Sequence, residues 1–114
     1  MPLPKPPSRT ELLRGTLDML VLKTLSIGPM HGYGIAKHLE QVSKDVLRVE
    51  QGSLYPALMR LRQEGWIKAE WATSPNNQRA RYYSITPAGR KQLGVEQSAF
   101  NQVLAAISLV MQQT

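Results

Sequence analysis

The side chains of this sequence that could do chemistry fall in two short segments, and the first is a helical stretch just before Gly65. Its buried face is predicted from apolar residues at helical spacing, namely Leu54, Ala57, Leu58 and Leu61. About 100° per residue then turns another set outward, namely Ser53, Tyr55, Pro56, Met59, Arg60 and Gln63. None of these is acidic, and arginine pairs with guanine, glutamine with adenine and hydroxyls with phosphate, so the face suits nucleic acid. The alternative is a solvated face on which Arg60 serves solubility.

Pro56 lies inside this stretch and predicts where the helix begins. Proline has no backbone N–H, so it is tolerated in the first turn, where that group has no partner within the helix. We therefore expect a helix from about Leu54 to Glu64. Ser53 would be its N-cap, with the hydroxyl accepting a hydrogen bond from the Tyr55 N–H.

The second segment, residues 79–91, has no acidic residue, and its basic residues are Arg79, Arg81, Arg90 and Lys91. Tyr82 and Tyr83 lie between them. Basic residues interleaved with aromatic ones on a ribbon suit contact with a phosphate backbone or entry into a minor groove. For Tyr83, which alternates with Ile85, we favour packing on the core. Farther back in the chain, Tyr33 and Lys37 point away from the apolar stripe of their helix and could touch phosphates.

These segments need an architecture that holds a helix beside a ribbon, and the hydrophobic pattern supplies one. Helical spacing predicts helices over residues 10–27 and 31–42 before the helix that carries Pro56. Alternation predicts strands over 66–71 and 81–86, joined by a tip rich in turn formers. The pair Thr86-Pro87 then starts a long last helix.

This order predicts a mainly α fold with a β-hairpin, a winged helix-turn-helix followed by a long C-terminal helix. In that architecture the third helix lies in the DNA major groove and the hairpin reaches the flanking backbone. The division predicted from it has a flexible, proline-rich arm at 1–9 and a winged-helix DNA-binding domain at 10–86. Residues 87–114 would form a dimerisation helix.

The bulk composition agrees with a polyanionic partner. The 114 residues suffice for one domain, the formal net charge is +6 and the pI is near 10.0. Cysteine is absent, which excludes disulfides and thiolate metal sites, and two histidines alone make a poor metal site, so we expect no cofactor. No segment is apolar enough for a membrane span, and we expect a cytoplasmic protein.

The terminal helix carries apolar residues at alternating spacings of four and three, with one polar member, as in a heptad seam: Leu93, Gln97, Phe100, Leu104, Ile107 and Met111. We expect this seam to pack on a second copy together with Leu13 and Leu17 of helix one, giving a twofold homodimer. The alternative is a helix that folds back on its own domain. A dimer cleft floored by Phe100 and Leu104 is a conceivable inducer site, whereas Trp66 and Trp71 are assigned to hairpin packing.

Several segments together resemble the PadR family of bacterial transcriptional regulators between Leu13 and Leu93. They are Gly28-Pro-Met-His-Gly-Tyr-Gly-Ile35, Gly52-Ser-Leu-Tyr-Pro-Ala-Leu58 with Arg60-Leu61, Glu64-Gly65-Trp-Ile67, and Arg81-Tyr-Tyr-Ser-Ile-Thr86 with Gly89. The resemblance implies a winged-helix dimer, usually a repressor, whose third helix and wing bind an inverted repeat. Its single terminal helix is similar to the short-tailed members.

Two departures from that family concern the helix cap and the wing. Ser53 stands where threonine is commoner, and the wing tip is Pro75-Asn-Asn-Gln78 rather than a run of glycines. The terminal helix lacks the tryptophan with which some short-tailed relatives bind flat aromatic drugs, so multidrug sensing is not carried over.

Other classes of function fit the sequence less well. There is no nucleophile elbow, and Gly32-Tyr-Gly34 follows no strand and lacks the third glycine of a dinucleotide fingerprint, so we expect no enzyme. His31 is better explained as a capping or packing residue. The remaining rival is a winged-helix module that binds another protein without contacting DNA, its basic charge being incidental.

Overall fold

Residues 9–113 are described by the computed structural model, with side chains from Thr16 onward. In this part of the chain four α-helices and three strands follow one another: α1 (Arg9–Leu25), β1 (Met30–His31), α2 (Gly32–Val42), α3 (Gln51–Gln63), β2 (Ile67–Thr73), β3 (Arg79–Ile85) and α4 (Pro87–Met111). Most of the predicted arm lies outside the described residues. Its last residue, Arg9, already belongs to α1.

The core lies where the first three helices meet the base of the hairpin. Its buried apolar residues are Leu17, Val21, Leu22, Leu25, Ile35, Leu39, Leu54, Ala57, Leu58, Leu61, Ile67 and Tyr83. The four residues predicted to form the buried face of α3 are all among them, as is Tyr83. The 3.6-residue period of α3 therefore turns the expected side toward the core and leaves the opposite side exposed.

Local capping signals fix three helix ends. The His31 imidazole caps α2, its Nδ1 accepting a hydrogen bond from the Gly34 N–H at 2.8 Å, which confirms the capping role expected for it. Thr86 caps α4, with Oγ1 accepting from the Gly89 N–H at 3.0 Å. At the end of α3, Gly65 takes a φ of +76°, and Trp66 N–H donates to Leu61 C=O at 3.0 Å. This pattern is a Schellman stop, for which glycine is the favoured residue.

The start of α3 differs from the expectation. The helix begins at Gln51 with Glu50 as N-cap, so Ser53 is its third residue and not the cap, and Pro56 is its sixth. The missing Pro56 N–H therefore leaves the Gly52 carbonyl without its helical donor. Gly52 is exposed, so water can take that place. The start of α3 was predicted wrongly because Pro56 was assumed to lie in the first turn. A helix can hold a proline farther along when solvent satisfies the carbonyl that the proline leaves without a donor.

The hairpin is longer than predicted and belongs to a three-stranded antiparallel sheet in the order β1-β3-β2. Strand β1 was not predicted, because two residues carry no alternation of their own. It pairs His31 with Tyr82 and Met30 with Tyr83. At the tip, Ser74 N–H donates to Gln78 C=O at 2.7 Å, and Asn77 takes the left-handed conformation at φ +61°.

Helix α4 packs closely against the domain at its first turn, and its C-terminal part is exposed to solvent. A Cβ at Gly89 would lie 2.0 Å from the Trp66 carbonyl oxygen, so only glycine lets the first turn of α4 pass there. Phe100 and every described residue after it are exposed. Among the described residues, no helix is both long and apolar enough to cross a membrane.

Candidate nucleic-acid interface

One face of the hairpin begins in the core and ends outside it. Alternation puts Ile67, Ala69 and Trp71 of β2 on this face, opposite Ile85, Tyr83 and Arg81 of β3. Ile67 and Tyr83 are buried, but Trp71 is 59% exposed. Arg79 and Arg81 thus lie on the same face of β3 as Tyr83 and Ile85, beyond the edge of the core.

These residues form the outer wall of a groove of about 640 Å³ between the hairpin and the N-terminal parts of α2 and α3. The groove is lined by His31, Gly32, Tyr33, Tyr55, Trp71, Ser74, Asn76, Gln78, Arg79, Ala80, Arg81 and Tyr83. None of these described lining residues is acidic. The groove, called the wing groove below, therefore combines hydroxyl groups, aromatic rings and two guanidinium groups on one concave surface.

The two arginines of the wing groove are held differently. The Arg79 guanidinium lies over the Trp71 ring, 5.2 Å from its centroid, in a cation–π contact. The Arg81 Nε is buried and has no hydrogen-bond partner among the described residues. The Arg81 residue lines the groove, whereas this nitrogen is closed off from it.

The inner wall is built by the N-terminal end of α2. The Tyr33 ring is 61% exposed and stacks near His31, with 6.3 Å between the ring centroids. Lys37 places its Nζ 5.9 Å from the centroid of the same ring. Tyr55 reaches this wall from α3, since its hydroxyl would be 3.1 Å from a Cβ added at Gly32. Glycine at position 32 therefore makes room for the tyrosine that joins α3 to α2.

Tyr82 is not brought to the wing groove. It pairs with Glu70 across β2 and with His31 across β1, on the sheet face opposite Arg79 and Arg81. Its ring meets the His31 ring edge-on, with 5.6 Å between centroids. Tyr82 was predicted to contact DNA together with the arginines, and the strand register puts it on the other face of the sheet. Strand alternation predicts this placement, because neighbouring residues of a strand point to opposite faces and Tyr83 is buried.

The outward face of α3 is exposed along its length at Pro56, Met59 and Gln63. Met59 and Gln63 also line a shallow second hollow with Arg62 and Lys68, at the start of β2. The hollow places two basic side chains next to the C-terminal half of α3. Arg62 was not among the predicted contacts.

Arg60 has a partner within the chain. Its Nη2 donates to Asp18 Oδ1 at 2.8 Å and its Nε to Asp18 Oδ2 at 3.3 Å, which ties α3 to α1. The hydrogen bond to Asp18, followed by the charge of that carboxylate, raises the pKa of Arg60. Arg60 was predicted to contact bases from beside the outward face, and in the free chain both donors on one edge of its guanidinium are used by Asp18.

The residues predicted for a dimer contact fall in three groups. Leu17 is buried in the chain's own core, so its assignment to a dimer contact is corrected, and Leu93 packs partly against the same core. Leu13 lies outside the residues whose side chains are described. Exposed apolar side chains remain along α4, at Phe100, Leu104, Ile107 and Met111, together with Val95, Val103, Leu109 and Val110.

The comparisons with known proteins identify the family. A model of the transcriptional regulator PadR-like family matches residues 21–95, well over half of the chain. The chain belongs to the PadR-like family. A relative with an assigned role is the transcriptional regulator Rv3488 of Mycobacterium tuberculosis, 30% identical over 93 residues that cover 82% of this chain and 83% of that protein.

Solved structures of PadR-like regulators have the same fold. The regulator BC4206 of Bacillus cereus is 26% identical with a TM-score of 0.79, and the match covers 91% of this chain and 99% of that one. A PadR family regulator of Eggerthella lenta is 29% identical with a TM-score of 0.78, over 91% and 88% of the two chains. These matches confirm the PadR resemblance and the winged-helix fold. Membership of a family of transcriptional regulators also confirms the expectation that the chain is not an enzyme.

Trp71 and His31 are among the wing-groove residues of this PadR-like chain that the sequence did not mark as DNA contacts. Trp71 was assigned to hairpin packing, but it is mostly exposed and carries Arg79 on its ring. His31 was expected to cap α2, and it also lines the groove. The alternation that begins at Ile67 places Trp71 on the same face of the hairpin, but it does not show where the core ends.

Proposed function

We propose that this PadR-like regulator is a sequence-specific repressor that binds an inverted-repeat operator as a homodimer. Helix α3 would lie in the major groove and the hairpin would follow the flanking backbone. Residues 10–86 would bind the DNA and residues 87–114 would join the two copies. The protein would act in the bacterial cytoplasm, where its operator is.

The observation that carries this proposal is the acid-free wing groove beside the N-terminal half of α3. Its opposite walls carry the Tyr33 and Tyr55 hydroxyls on one side and the Arg79 and Arg81 guanidinium groups on the other. Hydroxyl and guanidinium donors that converge on a concave surface suit a phosphodiester backbone. A groove of this composition would fix the register of α3, while Met59 and Gln63 on the outward face meet base edges.

The basic test is binding to a duplex from the region upstream of the protein's own coding sequence. Fluorescence anisotropy should show tight binding that weakens steeply with salt, with a log–log slope of about −0.9 for each phosphate neutralised. A duplex of the same composition with both half-sites scrambled is the control, and it should bind more weakly at every salt concentration. Salt-insensitive binding, or none to any genomic fragment, would instead favour the protein-interaction module.

The homodimer is supported by the apolar surface of α4. Leu104 is 50% and Ile107 52% exposed within one copy. An apolar helix of this length in one small domain has little of its own chain to cover it. In such a dimer the two copies of α3 would have to lie about 34–36 Å apart, as successive major grooves require.

A charge on this seam should separate the two copies. Ile107→Glu should convert the dimer to a monomer in sedimentation equilibrium, since a carboxylate would have to be buried opposite its symmetry mate. Binding to the full inverted repeat should then fall to the level of a single half-site. Gln102→Glu adds the same charge on the opposite side of α4 and should change neither quantity. An Ile107→Glu protein that remains dimeric would place the interface elsewhere.

We assign any small-molecule inducer to the surface around Phe100. A hollow of about 420 Å³ there is lined by Thr16, Met19, Glu96, Ala99, Phe100 and Val103. Its position between α1 and α4 would let an occupant change the angle between the DNA-binding domain and the dimer seam. Phe100→Ala should then abolish induction by a compound that releases the wild-type protein from DNA.

A further inference from the structure

The ion pair between Asp18 and Arg60 uses a particular edge of the guanidinium group. Both bonds run from the Nε and Nη2 side, at 3.3 and 2.8 Å, so the carboxylate occupies a bidentate edge. Arginine uses the same kind of paired donors to recognise guanine through its O6 and N7 atoms. Asp18 and a guanine base are therefore alternative partners for these two donors of Arg60.

The position of the pair makes this competition relevant. Arg60 lies on α3 one residue after Met59, which faces outward, and its side chain is 48% exposed. The Asp18 side chain is 25% exposed, so the carboxylate lies near the same surface. Neither group is enclosed, and rotation of the arginine side chain would suffice to exchange one partner for the other.

We propose that Asp18 is a specificity-determining residue of the regulator, which lowers its preference for guanine by competing for Arg60. This rests on the proposed function, with α3 in the major groove. In the wild-type protein Gln63 and Met59 then carry more of the base discrimination than Arg60 does. Glutamine suits adenine, and an apolar side chain suits the thymine methyl group. A residue of α1 that touches no base would thus help to set the operator sequence.

The expected size of the effect follows from the exposure of the pair. Exposed ion pairs are weak, so release of Arg60 should raise the preference for guanine by about 1.4- to 5-fold at one position of each half-site. The change should be confined to that position, because the remaining contacts of α3 are unchanged. Loss of a negative charge near the DNA should add a separate gain that is equal for all sequences.

The test is selection from a random-sequence duplex pool by the full chain in four forms: wild type, Asp18→Asn, Arg60→Ala and the double variant. Asp18→Asn should enrich guanine at one half-site position relative to the wild type. The double variant should not, because the guanidinium is gone. Glu64→Gln removes an acidic charge at the end of α3 and is the control. It should change overall affinity without changing the guanine frequency, and thermal unfolding should show all variants folded.

The outcomes separate this proposal from the proposed function. An unchanged guanine frequency with Asp18→Asn, or a gain that persists in the double variant, overturns the role of Asp18 while leaving DNA binding intact. A wild-type protein that enriches no sequence overturns the proposed function and the role of Asp18 with it. A positional gain that requires Arg60 supports the proposal.

Discussion

The two flanks of α3 carry similar polar residues and differ in what faces them. On the hairpin side, Tyr55 lies across the wing groove from Arg79 and Arg81, and none of the described lining residues is acidic. On the α1 side, Arg60 meets Asp18 at 2.8 Å and is held by it. A basic side chain is thus available to DNA on one flank and engaged within the protein on the other.

This difference follows from partners and not from residue type. Arg60 and Arg79 are both exposed arginines, and residue type gives no reason to rank one above the other. The aromatic ring under Arg79 orients its guanidinium without neutralising it. The carboxylate beside Arg60 both orients the guanidinium and neutralises its charge. The hairpin flank should therefore account for affinity, and the α1 flank for stability and for the fine choice of bases.

Removal of both wing arginines should give the largest effect. Arg79→Ala with Arg81→Ala should weaken binding to every duplex by about 10- to 100-fold at low salt, the scale expected for two hydrogen bonds of about 1 kcal/mol each. The salt slope should fall by about 1.8, since each lost contact leaves one phosphate unneutralised. Anisotropy titrations at several salt concentrations measure both quantities.

The matched control removes two charges outside the wing groove. Arg90 and Lys91 are exposed on the first turn of α4, and neither is among the described residues that line the groove. Alanine at both positions should change affinity less than three-fold, as expected for long-range charge alone. Equal losses in the two double variants would mean that net charge, and not the groove, governs binding.

Much of this arrangement was predictable from local patterns. Helical spacing gave the buried face of α3, Thr86-Pro87 gave the start of α4, and Gly65 gave the end of α3, because each signal acts within one turn of the backbone. The face shared by Arg79 and Arg81 also follows from alternation once Tyr83 is assigned to the core.

The features that were missed depend on contacts between distant segments. Asp18 and Arg60 are 42 positions apart, and nothing local marks them as partners. Strand β1 exists through its pairing with β3 and has no periodicity to reveal it. The start of α3 was missed for a different reason, because a helix can keep Pro56 in its second turn when the Gly52 carbonyl is open to solvent.

A single hydroxyl should have an intermediate effect. Tyr55→Phe keeps the ring against Gly32 and removes one donor from the inner wall of the groove. We expect a loss of about 2- to 10-fold, the scale of one hydrogen bond, with the same factor for all sequences. Tyr82→Phe is the control on the opposite sheet face and should have no measurable effect. A loss of DNA affinity from Tyr82→Phe that is larger than the loss from Tyr55→Phe would show that the DNA follows the other face of the hairpin.

Arg60→Ala should have the smallest effect on DNA affinity, less than about three-fold, because an exposed ion pair is exchanged for solvent. Its effect on folding should be of similar size, a loss of about 0.2 to 1 kcal/mol in the free energy of unfolding. Urea unfolding and anisotropy measure the two in parallel. A loss of affinity as large as that of the wing variant would remove the distinction between the flanks.

The most direct test of the wing groove as the DNA-binding surface is site-specific cross-linking, and the absence of cysteine from the chain makes it simple. Asn76→Cys at the hairpin tip and Ser98→Cys on α4 would each carry one photoactivated probe in the presence of the upstream duplex. We expect cross-links to the DNA flanking each half-site from position 76 and none from position 98. DNA cross-links from position 98 alone would contradict it.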